Sequence, residues 1–562
     1  GTISYSGQTG QLDYLLSADV RSGCNGVNWW GNCHPLQESF ETSLLADRSL
    51  NETRAFDRYT EQTNYRFNTN LVYQATPNDR IAFNALYSEN DPPSDLLRTI
   101  TNYQSSPVSV SIEREDTPST SNNWEFGGDY EHGFENGDRF KFLFIINDKK
   151  NHATRERFIS TVPGGTETKN LFLKTNSRYR EKIVRGSYTL SLTGSQGLEF
   201  GIEAAQTTQD SGLRLGLPTA AAGSPEFGGL TPIAFPNAFS TVEEIRYEPF
   251  AIHNWQINRR MSLESSLVAE YSEIEQSGDV NNRRDFDFIK PKLDFRFDIS
   301  DTLQFRASLE KVVSQLSFAD FSRATNEQDD DQDTVAGNPE LVPEESLQTE
   351  IGLDYRLPND GGALNVRAFY YDFNNKIGKI DISPSATNLQ STNGNVGPAR
   401  AYGLISNASI RLSFLGLPAA LVTAALTVQD AKIRNELYSA ESDRRFRPYD
   451  RGRYNLGFRH DLPALGLNYG INYNASIEGN RTPFDIDNQI YIPIPSNLSV
   501  FVEKVGFGGL TYRFEGINLE DSDACGERRR FDGYLRDGIL KEVEFNCSRL
   551  GMQFVFKVRG TF

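Results

Sequence analysis

Two kinds of connection alternate along the 562 residues of this chain, and they join segments in which apolar and polar side chains alternate. The first kind is short and rich in Gly, Pro, Asn, Asp and Ser, which is typical of hairpin turns. These turns lie at 8–10, 76–79, 135–138, 194–197, 258–260, 300–301, 359–362, 415–418, 461–463 and 506–508. The second kind lies at 21–55, 91–120, 153–167, 212–240, 279–283, 316–344, 383–398, 436–447, 482–496 and 520–547, and only 279–283 is short. This alternation predicts antiparallel strands with tight turns at one end and long loops at the other.

The strands have one face for lipid and one for water. Leu293, Phe295 and Phe297 alternate with charged residues, as do the residues of many other segments. A half-buried sheet of a soluble protein explains any one such strand, but not a long series with sorted loops. Bacterial outer-membrane barrels have short periplasmic turns and long extracellular loops. The sequence therefore predicts an all-β fold: a transmembrane antiparallel β-barrel domain over residues 1–562, in the bacterial outer membrane and in contact with its lipid.

Composition agrees with this prediction. The mean hydropathy is −0.51, and no apolar run approaches the roughly 20 residues of a membrane helix, so helical membrane proteins are excluded. A low mean hydropathy is compatible with a barrel, because only one face of each strand meets lipid. The 12% of aromatic residues suits the aromatic girdles of such a barrel.

Charge and motif content exclude other classes of protein. The net charge is −18, whereas a nucleic-acid partner requires a basic surface, so we expect no nucleic acid. The chain has five His residues and no Gly-x-Ser-x-Gly, His-Glu-x-x-His or phosphate-loop motif, so we expect no enzyme.

The strand count is odd. Ten turns join twenty strands, and a C-terminal strand from 549 to 562 makes twenty-one. Bacterial single-chain barrels have even numbers of strands. We therefore expect a barrel of about 22 strands, in which one further strand pairs with both Gly1–Gly7 and Arg549–Phe562, from residues upstream of Gly1 or from a separate polypeptide.

Four cysteines fall into two local pairs, Cys24 with Cys33 and Cys525 with Cys547. Neither pair has a Cys-x-x-Cys spacing. We predict two disulfides in extracellular loops, in an oxidising compartment, in preference to free thiols.

An acidic cluster lies in the connection 316–344 and consists of Asp329, Asp330, Asp331 and Asp333. Oxygen ligands of this kind can hold Ca²⁺, although the spacing is not that of an EF-hand. A solvated acidic loop is the alternative, and it is favoured.

Two further groups in the loops are candidate ligand-binding residues. Trp29 and Trp30, beside His34, can stack on a ligand ring or pack their own loop onto its neighbours. The arginines can attract an anionic ligand or balance an acidic rim, and the second reading is favoured; they are Arg444, Arg445, Arg447, Arg528, Arg529 and Arg530.

One stretch carries a specific resemblance. Residues 337–346 read Gly-Asn-Pro-Glu-Leu-Val-Pro-Glu-Glu-Ser, and Glu350, Gly352 and Tyr355 follow. This pattern resembles the mid-barrel signature of TonB-dependent outer-membrane transporters. Further similar segments follow the family's order at Pro291-Lys292-Leu293, Asn395-Val396-Gly397, Asn518-Leu519-Glu520-Asp521 and the C-terminal strand that ends at Phe562.

The resemblance implies a function and partners. Transporters of this family take up a scarce ligand (a siderophore, cobalamin, an oligosaccharide or a peptide) with energy supplied through TonB. They also carry an N-terminal plug domain, which this chain does not contain, so we expect the plug upstream of Gly1 or on a separate plug-bearing polypeptide. The alternative is a barrel without a plug: an open or exporting pore, or a scaffold whose loops bind surface partner proteins.

Overall fold

The computed structural model describes residues 1–23, 36–234, 238–321, 324–325, 334–335, 337–438, 443–477, 480–481, 484–549 and 551–560. Strands are numbered β1 to β33 in chain order. Among these residues, twenty-one strands form one continuous antiparallel wall, each paired with the next. They are β1 (Thr2–Thr9), β2 (Leu12–Gly23), β5 (Gln62–Thr76), β6 (Asp79–Asp91), β9 (Ser119–Gly133), β10 (Arg139–Ser160), β11 (Thr168–Thr193), β12 (Gln196–Leu217), β14 (Phe239–Asn258), β15 (Met261–Gly278), β16 (Asn282–Asp298), β17 (Leu303–Val313), β20 (Glu345–Leu357), β21 (Gly362–Asp381), β22 (Ser391–Leu412), β23 (Leu417–Arg434), β25 (Gly452–Leu462), β26 (Leu467–Ile477), β29 (Asn497–Val505), β30 (Thr511–Ile517) and β33 (Gln553–Arg559).

All ten predicted short turns are confirmed, because each joins two consecutive wall strands. Side chains alternate across the wall as predicted. On β33, for example, Phe554, Phe556 and Val558 are 62%, 65% and 53% exposed on the outward face, while Val555 and Lys557 point inward. An apolar outward face is what a membrane-spanning barrel presents to lipid. Within the described ranges, no helix is both long and apolar enough to span a membrane.

The wall strands at the two ends of the chain each have one neighbour among the described residues. β1 pairs with β2, and β33 pairs with β30. The expected further strand between them stays a prediction. β33 is shorter than the expected segment 549–562, because residues up to Arg549 belong to another strand, β32.

The long connections hold further strands that extend the sheet of the wall, and these are here called the outer sheet. Its strands pair in the order β28, β31, β32, β3, β4, β7 and β8. β8 also pairs with the C-terminal end of wall strand β10. The ranges are β3 (Leu36–Leu45), β4 (Leu50–Thr60), β7 (Ser94–Asn102), β8 (Ser109–Thr117), β28 (Asn488–Pro493), β31 (Ala524–Phe531) and β32 (Leu540–Arg549). Three of the predicted long loops therefore each contribute a hairpin to the outer sheet: β3–β4, β7–β8 and β31–β32.

The outer sheet joins the first and the last long connection of the chain. Residues 38–45 of β3 pair with 549–542 of β32, so the first and last extracellular connections are neighbours in one sheet. Side chains reinforce the contact: Ser43 Oγ donates to Glu542 at 2.8 Å, and Asn51 Nδ2 donates to the same carboxylate at 2.9 Å.

Ion pairs line one face of the outer sheet. Arg155 of β10 makes a two-point contact with Glu115 of β8, at 2.7 and 2.8 Å. Arg98 pairs with Glu113 on the same face. These four side chains are no more than 10% exposed, and buried charges are tolerated where they are paired in this way.

The connection expected at 153–167 is shorter than predicted. β10 continues to Ser160 and β11 begins at Thr168. The charged side chains at the C-terminal end of β10, such as Arg155, resemble those of a loop in the sequence. The sequence pattern did not indicate a strand there, because their counterions lie on a neighbouring strand.

The remaining short elements lie in the connections. The strands are β13 (Thr231–Ile233), β18 (Ala324–Thr325), β19 (Thr334–Val335), β24 (Asp443–Arg444) and β27 (Asn480–Arg481). The short 3-10 turns are Pro225–Phe227, Phe318–Phe321, Ser413–Leu415, Pro463–Leu465, Phe507–Gly509 and Leu535–Asp537.

Candidate functional site of the barrel

Two described parts of the connection between β17 and β20, residues 314–321 and 337–344, fold against the inner face of the wall. Its apolar residues Leu316, Phe318, Phe321 and Leu341 are buried with Val242 and Ile274, which belong to β14 and β15. On these strands the outward residues Tyr247 and Tyr271 are 50% and 55% exposed. Since alternate residues face opposite sides, Val242 and Ile274 face the lumen. These two described parts of the connection therefore occupy part of the barrel interior.

Asparagine side chains hold residues 337–346, here called the proline-containing stretch, in place. Asn395 of β22 accepts a hydrogen bond from the Val342 amide at 2.9 Å and donates to the Val342 carbonyl at 2.9 Å. A side-chain amide here satisfies both backbone groups of a residue that has no strand partner, which such groups require when buried. Asn338 donates in the same way to the Asn393 carbonyl at 2.9 Å. The two segments 337–346 and 393–397 are thus partners in space.

An ion pair completes this contact. Lys376 Nζ lies 2.8 Å from Glu344 Oε1, and the Ile377 amide donates to Glu344 Oε2 at 3.1 Å. Both charged side chains are 15% exposed or less. The stretch is consequently anchored at Asn338, Val342 and Glu344, and it leads directly into β20.

A group of aromatic and arginine side chains gathers at the loop end of the barrel, here called the rim cluster. It consists of Tyr438, Arg444, Phe484, Tyr491 and Arg529, from three connections. Arg444 Cζ lies 3.7 Å from the ring centroid of Tyr438, Phe484 packs edge-on against Tyr438 at 4.9 Å, and Arg529 Cζ lies 4.9 Å from the Tyr491 ring. Burial raises the pKa of the Tyr438 phenol, against the opposing effect of the Arg444 guanidinium.

The rim cluster unites two of the predicted arginine groups. Arg444 and Arg529 were candidates, but the three aromatic residues were not predicted. They lie on two connections, Tyr438 on one and Phe484 and Tyr491 on another, and no pattern within either connection marks them, so only the folded chain brings them together.

Arg529 of the rim cluster forms an ion pair with Glu527, and most of the other candidate arginines also have carboxylate neighbours. Arg530 Nε lies 2.8 Å from Glu544, Arg528 Nε lies 3.9 Å from the same side chain, and Arg445 Nε lies 3.3 Å from Asp430. Arg447 precedes a cis proline, Pro448. A ligand-binding role for these residues stays a prediction.

The disulfide Cys525–Cys547 is confirmed, and it links directly opposed residues of β31 and β32. Other predicted residues lie outside the described part of the chain, and their roles stay predictions: Cys24, Cys33, Trp29, Trp30, His34, Asp329, Asp330, Asp331 and Asp333. Across the described ranges, no three His, Cys, Asp or Glu side chains form a group suited to a metal ion.

The sequence matches the family described as TonB dependent receptor-like, beta-barrel, over residues 37–519. The chain belongs to this family. It is accordingly a β-barrel protein of the bacterial outer membrane, and its family comprises receptors and transporters that work with TonB. No curated protein matches the sequence.

Solved structures share the fold at low sequence identity. The copper transporter OprC has a TM-score of 0.57 at 12% identity, over 95% of this chain and 85% of its own. The pyoverdine outer membrane receptor FpvA from Pseudomonas aeruginosa PAO1, bound to pyoverdine, has 0.54 at 10%, over 95% and 83%. The ferric citrate transporter FecA in its unliganded form has 0.52 at 12%, over 92% and 78%. At these identities the likeness concerns the fold of the TonB-dependent receptor.

Proposed function

We propose that this TonB-dependent receptor captures a scarce ligand at its extracellular side and imports it into the periplasm with energy supplied through TonB. The proline-containing stretch that folds into the lumen carries the proposal. It is anchored to the wall at three points, and such a connection narrows the passage and offers a surface inside it. The fold is shared with receptors and transporters of pyoverdine, ferric citrate and copper.

The rim cluster is the proposed first contact of the ligand. Tyr438 and Tyr491 supply rigid aromatic faces, and Arg444 and Arg529 hold their cations above these faces. Aromatic and arginine side chains of this kind dominate the binding energy of many recognition surfaces. The rim cluster therefore suits the capture of a dilute solute before it enters the lumen.

Uptake measured in a host with and without TonB tests this proposal. Cells that express the receptor are given labelled siderophore, cobalamin and oligosaccharide mixtures. We expect accumulation of one of these classes that is lost when TonB is deleted. The joint variant Arg444→Ala and Arg529→Ala should lower uptake at limiting ligand by about thirtyfold, since the two lost anchors cost on the order of 1 kcal/mol each and about 2 kcal/mol together.

A matched control is Arg549→Ala, because Arg549 also lies over an aromatic ring, Phe40, at the end of β32 and six residues beyond Val543, which lies opposite Arg529 of the rim cluster. If uptake of the labelled ligand is unchanged by deletion of TonB, the barrel is an open pore, which would contradict active import. Equal loss of uptake in the control would show that the rim cluster has no particular role.

A further inference from the structure

We propose that the lumen wall formed by β21 to β29 binds an uncharged, hydroxyl-rich ligand, namely a neutral oligosaccharide. This inference rests on the proposed function, because it assigns the chemical class of the imported ligand. It follows from side chains on different strands of the wall. The pattern cannot be seen in the sequence of any single strand, because only the register of the wall places these side chains in one row.

Asparagines form a row across this part of the wall, here called the amide row. Asn365 lies directly opposite Asn407, Asn407 opposite Ala425, and Ala425 opposite Asn455. The row continues from Asn455 to Asn474 and from Asn474 to Asn497. Five of six consecutive opposed positions are therefore asparagine, on six neighbouring strands about 4.8 Å apart.

The amide row faces the lumen. On the same strands, Leu404, Leu426 and Leu456 are 42%, 39% and 50% exposed on the outward face. Residues an odd number of positions apart on a strand point to opposite sides. Asn407, three positions from Leu404, and Asn455, next to Leu456, therefore point inward.

A second inward row runs beside the first and is also uncharged. It contains Ser409, Thr423, Gly457, Asn472 and Ser499, each directly opposite the next. Gly457 keeps this row open, because a Cβ atom there would lie 2.4 Å from Thr423 Oγ1. Together the two rows form a panel of amide and hydroxyl groups without a charged side chain.

A cavity lies against this panel. Its volume is about 760 Å³, and its lining includes Asn407, Asn455, Asn472, Asn474 and Ser499. The charged residues of the lining are Asp450, Arg453, Glu515 and Lys557, two of each sign, and Glu515 lies 3.2 Å from Lys557. The site thus has no net charge with which to select an ionic ligand.

The lack of charge is local to this panel. On the wall at β14 to β16, inward positions carry Arg246, Glu248, Glu270 and Lys290, with Arg246 Nε 3.0 Å from Glu248 and Lys290 Nζ 2.6 Å from Glu270. The same barrel therefore has one densely charged inner surface and one neutral inner surface. When a neutral ligand binds to the neutral surface, no charged group is removed from water, so binding does not incur that free-energy cost.

Amides suit hydroxyl-rich ligands because each offers a donor and an acceptor. Asn455 Nδ2 donates to Asn474 Oδ1, which fixes the two amides side by side. A sugar hydroxyl can both donate and accept, so it matches such a row without a change of protonation. A ligand bearing net charge would instead require counter-charged residues, as in charge-assisted pairing.

An array of neutral and acidic oligosaccharides, probed with the protein purified in detergent, tests the inference. We expect binding to at least one series of neutral oligosaccharides and none to uronic-acid or sulfated ones. Absence of binding to any neutral oligosaccharide, or binding to acidic ones alone, would overturn it. Because binding to purified protein needs no energy source, this result is independent of whether TonB drives uptake.

Variants then locate the site, with the bound oligosaccharide as probe. The joint variant Asn455→Ala and Asn474→Ala should weaken binding about tenfold, as expected for the loss of two hydrogen-bonding groups. Asn455→Asp alone, which keeps the shape, should also weaken it. The matched control is Asn84→Ala, on the inner face of β6, where its neighbours Ile81 and Phe83 are outward and exposed. Unchanged affinity in both amide-row variants, each migrating as a folded barrel, would contradict the site.

Discussion

Asparagine side chains act as substitutes for backbone partners at several points of this receptor. Asn395 holds both backbone groups of Val342. Asn518, 1% exposed, adopts a positive φ of 54° and donates to the Gly551 carbonyl at 3.0 Å, just before β33. Both residues lie in segments that resemble family motifs. The structure gives these motifs a physical reason: each holds a connection against the wall.

Replacement of Asn395 by alanine should release the proline-containing stretch. The variant leaves the Val342 amide and carbonyl without their partner, at a cost of about 2 kcal/mol for that conformation. We expect cleavage within 314–344 by a protease to become faster while the wall stays folded. Mass spectrometry of the fragments measures this, with Asn84→Ala as control. Equal cleavage rates in the variant and in the unaltered protein would show that the hydrogen bonds between Asn395 and Val342 are not needed to hold this stretch.

The disulfide Cys525–Cys547 joins residues 22 positions apart. In the chain-entropy model, a loop of this size lowers the entropy of the unfolded chain by an amount worth about 3 kcal/mol. The joint variant Cys525→Ser and Cys547→Ser should therefore make the β31–β32 hairpin sensitive to proteases. Peptide mapping under mild digestion measures the change. A hairpin as resistant as before would argue that its pairing with β3 and β28 is sufficient.

At the scale of elements, the outer sheet is the feature that loop lengths alone did not indicate. Its hairpins come from three separate connections, and charged side chains such as Arg98, Arg155 and Arg530 have counterions on neighbouring strands. Within any one connection these residues read as polar loop. The pairing of β3 with β32 also places the first and the last long connection side by side outside the membrane.

A cysteine pair tests the contact between β3 and β32. Thr42 lies directly opposite Phe545, and opposed Cα atoms about 4.5–5.5 Å apart lie within the range of a disulfide. Thr42→Cys with Phe545→Cys should form a cross-link on oxidation, detected as one joined peptide by mass spectrometry.

The control places the second cysteine two strands away. Thr101 lies beyond Thr53, which itself lies opposite Thr42, so Thr42→Cys with Thr101→Cys spans about 10 Å and should remain reduced. A cross-link in the control but not in the test pair would reject the strand order of the outer sheet.

At the scale of the whole molecule, the described strands form a continuous wall and the outer sheet. The outward face of the wall is apolar, and its inward face is divided into charged and neutral surfaces. Backbone groups within the wall are paired strand to strand, as a lipid environment requires. Such barrels resist unfolding until they are heated. We therefore expect unheated protein to migrate faster than boiled protein in detergent gel electrophoresis. A protein that is soluble without detergent and shows one mobility would be inconsistent with this architecture.

The sequence by itself determined the wall: the two-residue alternation set which side chains face lipid, and the turn residues set where each strand reverses. Both signals are local, so residues 415–418 or 359–362 mark a turn wherever the rest of the chain lies. The tertiary structure decided what meets across the sequence. Asn395 reaches Val342, Arg444 and Arg529 share the rim cluster, β3 pairs with β32, and Asn365 to Asn497 fall into one row. These contacts depend on strand register, and a slip of one residue would turn each of these side chains to the opposite face.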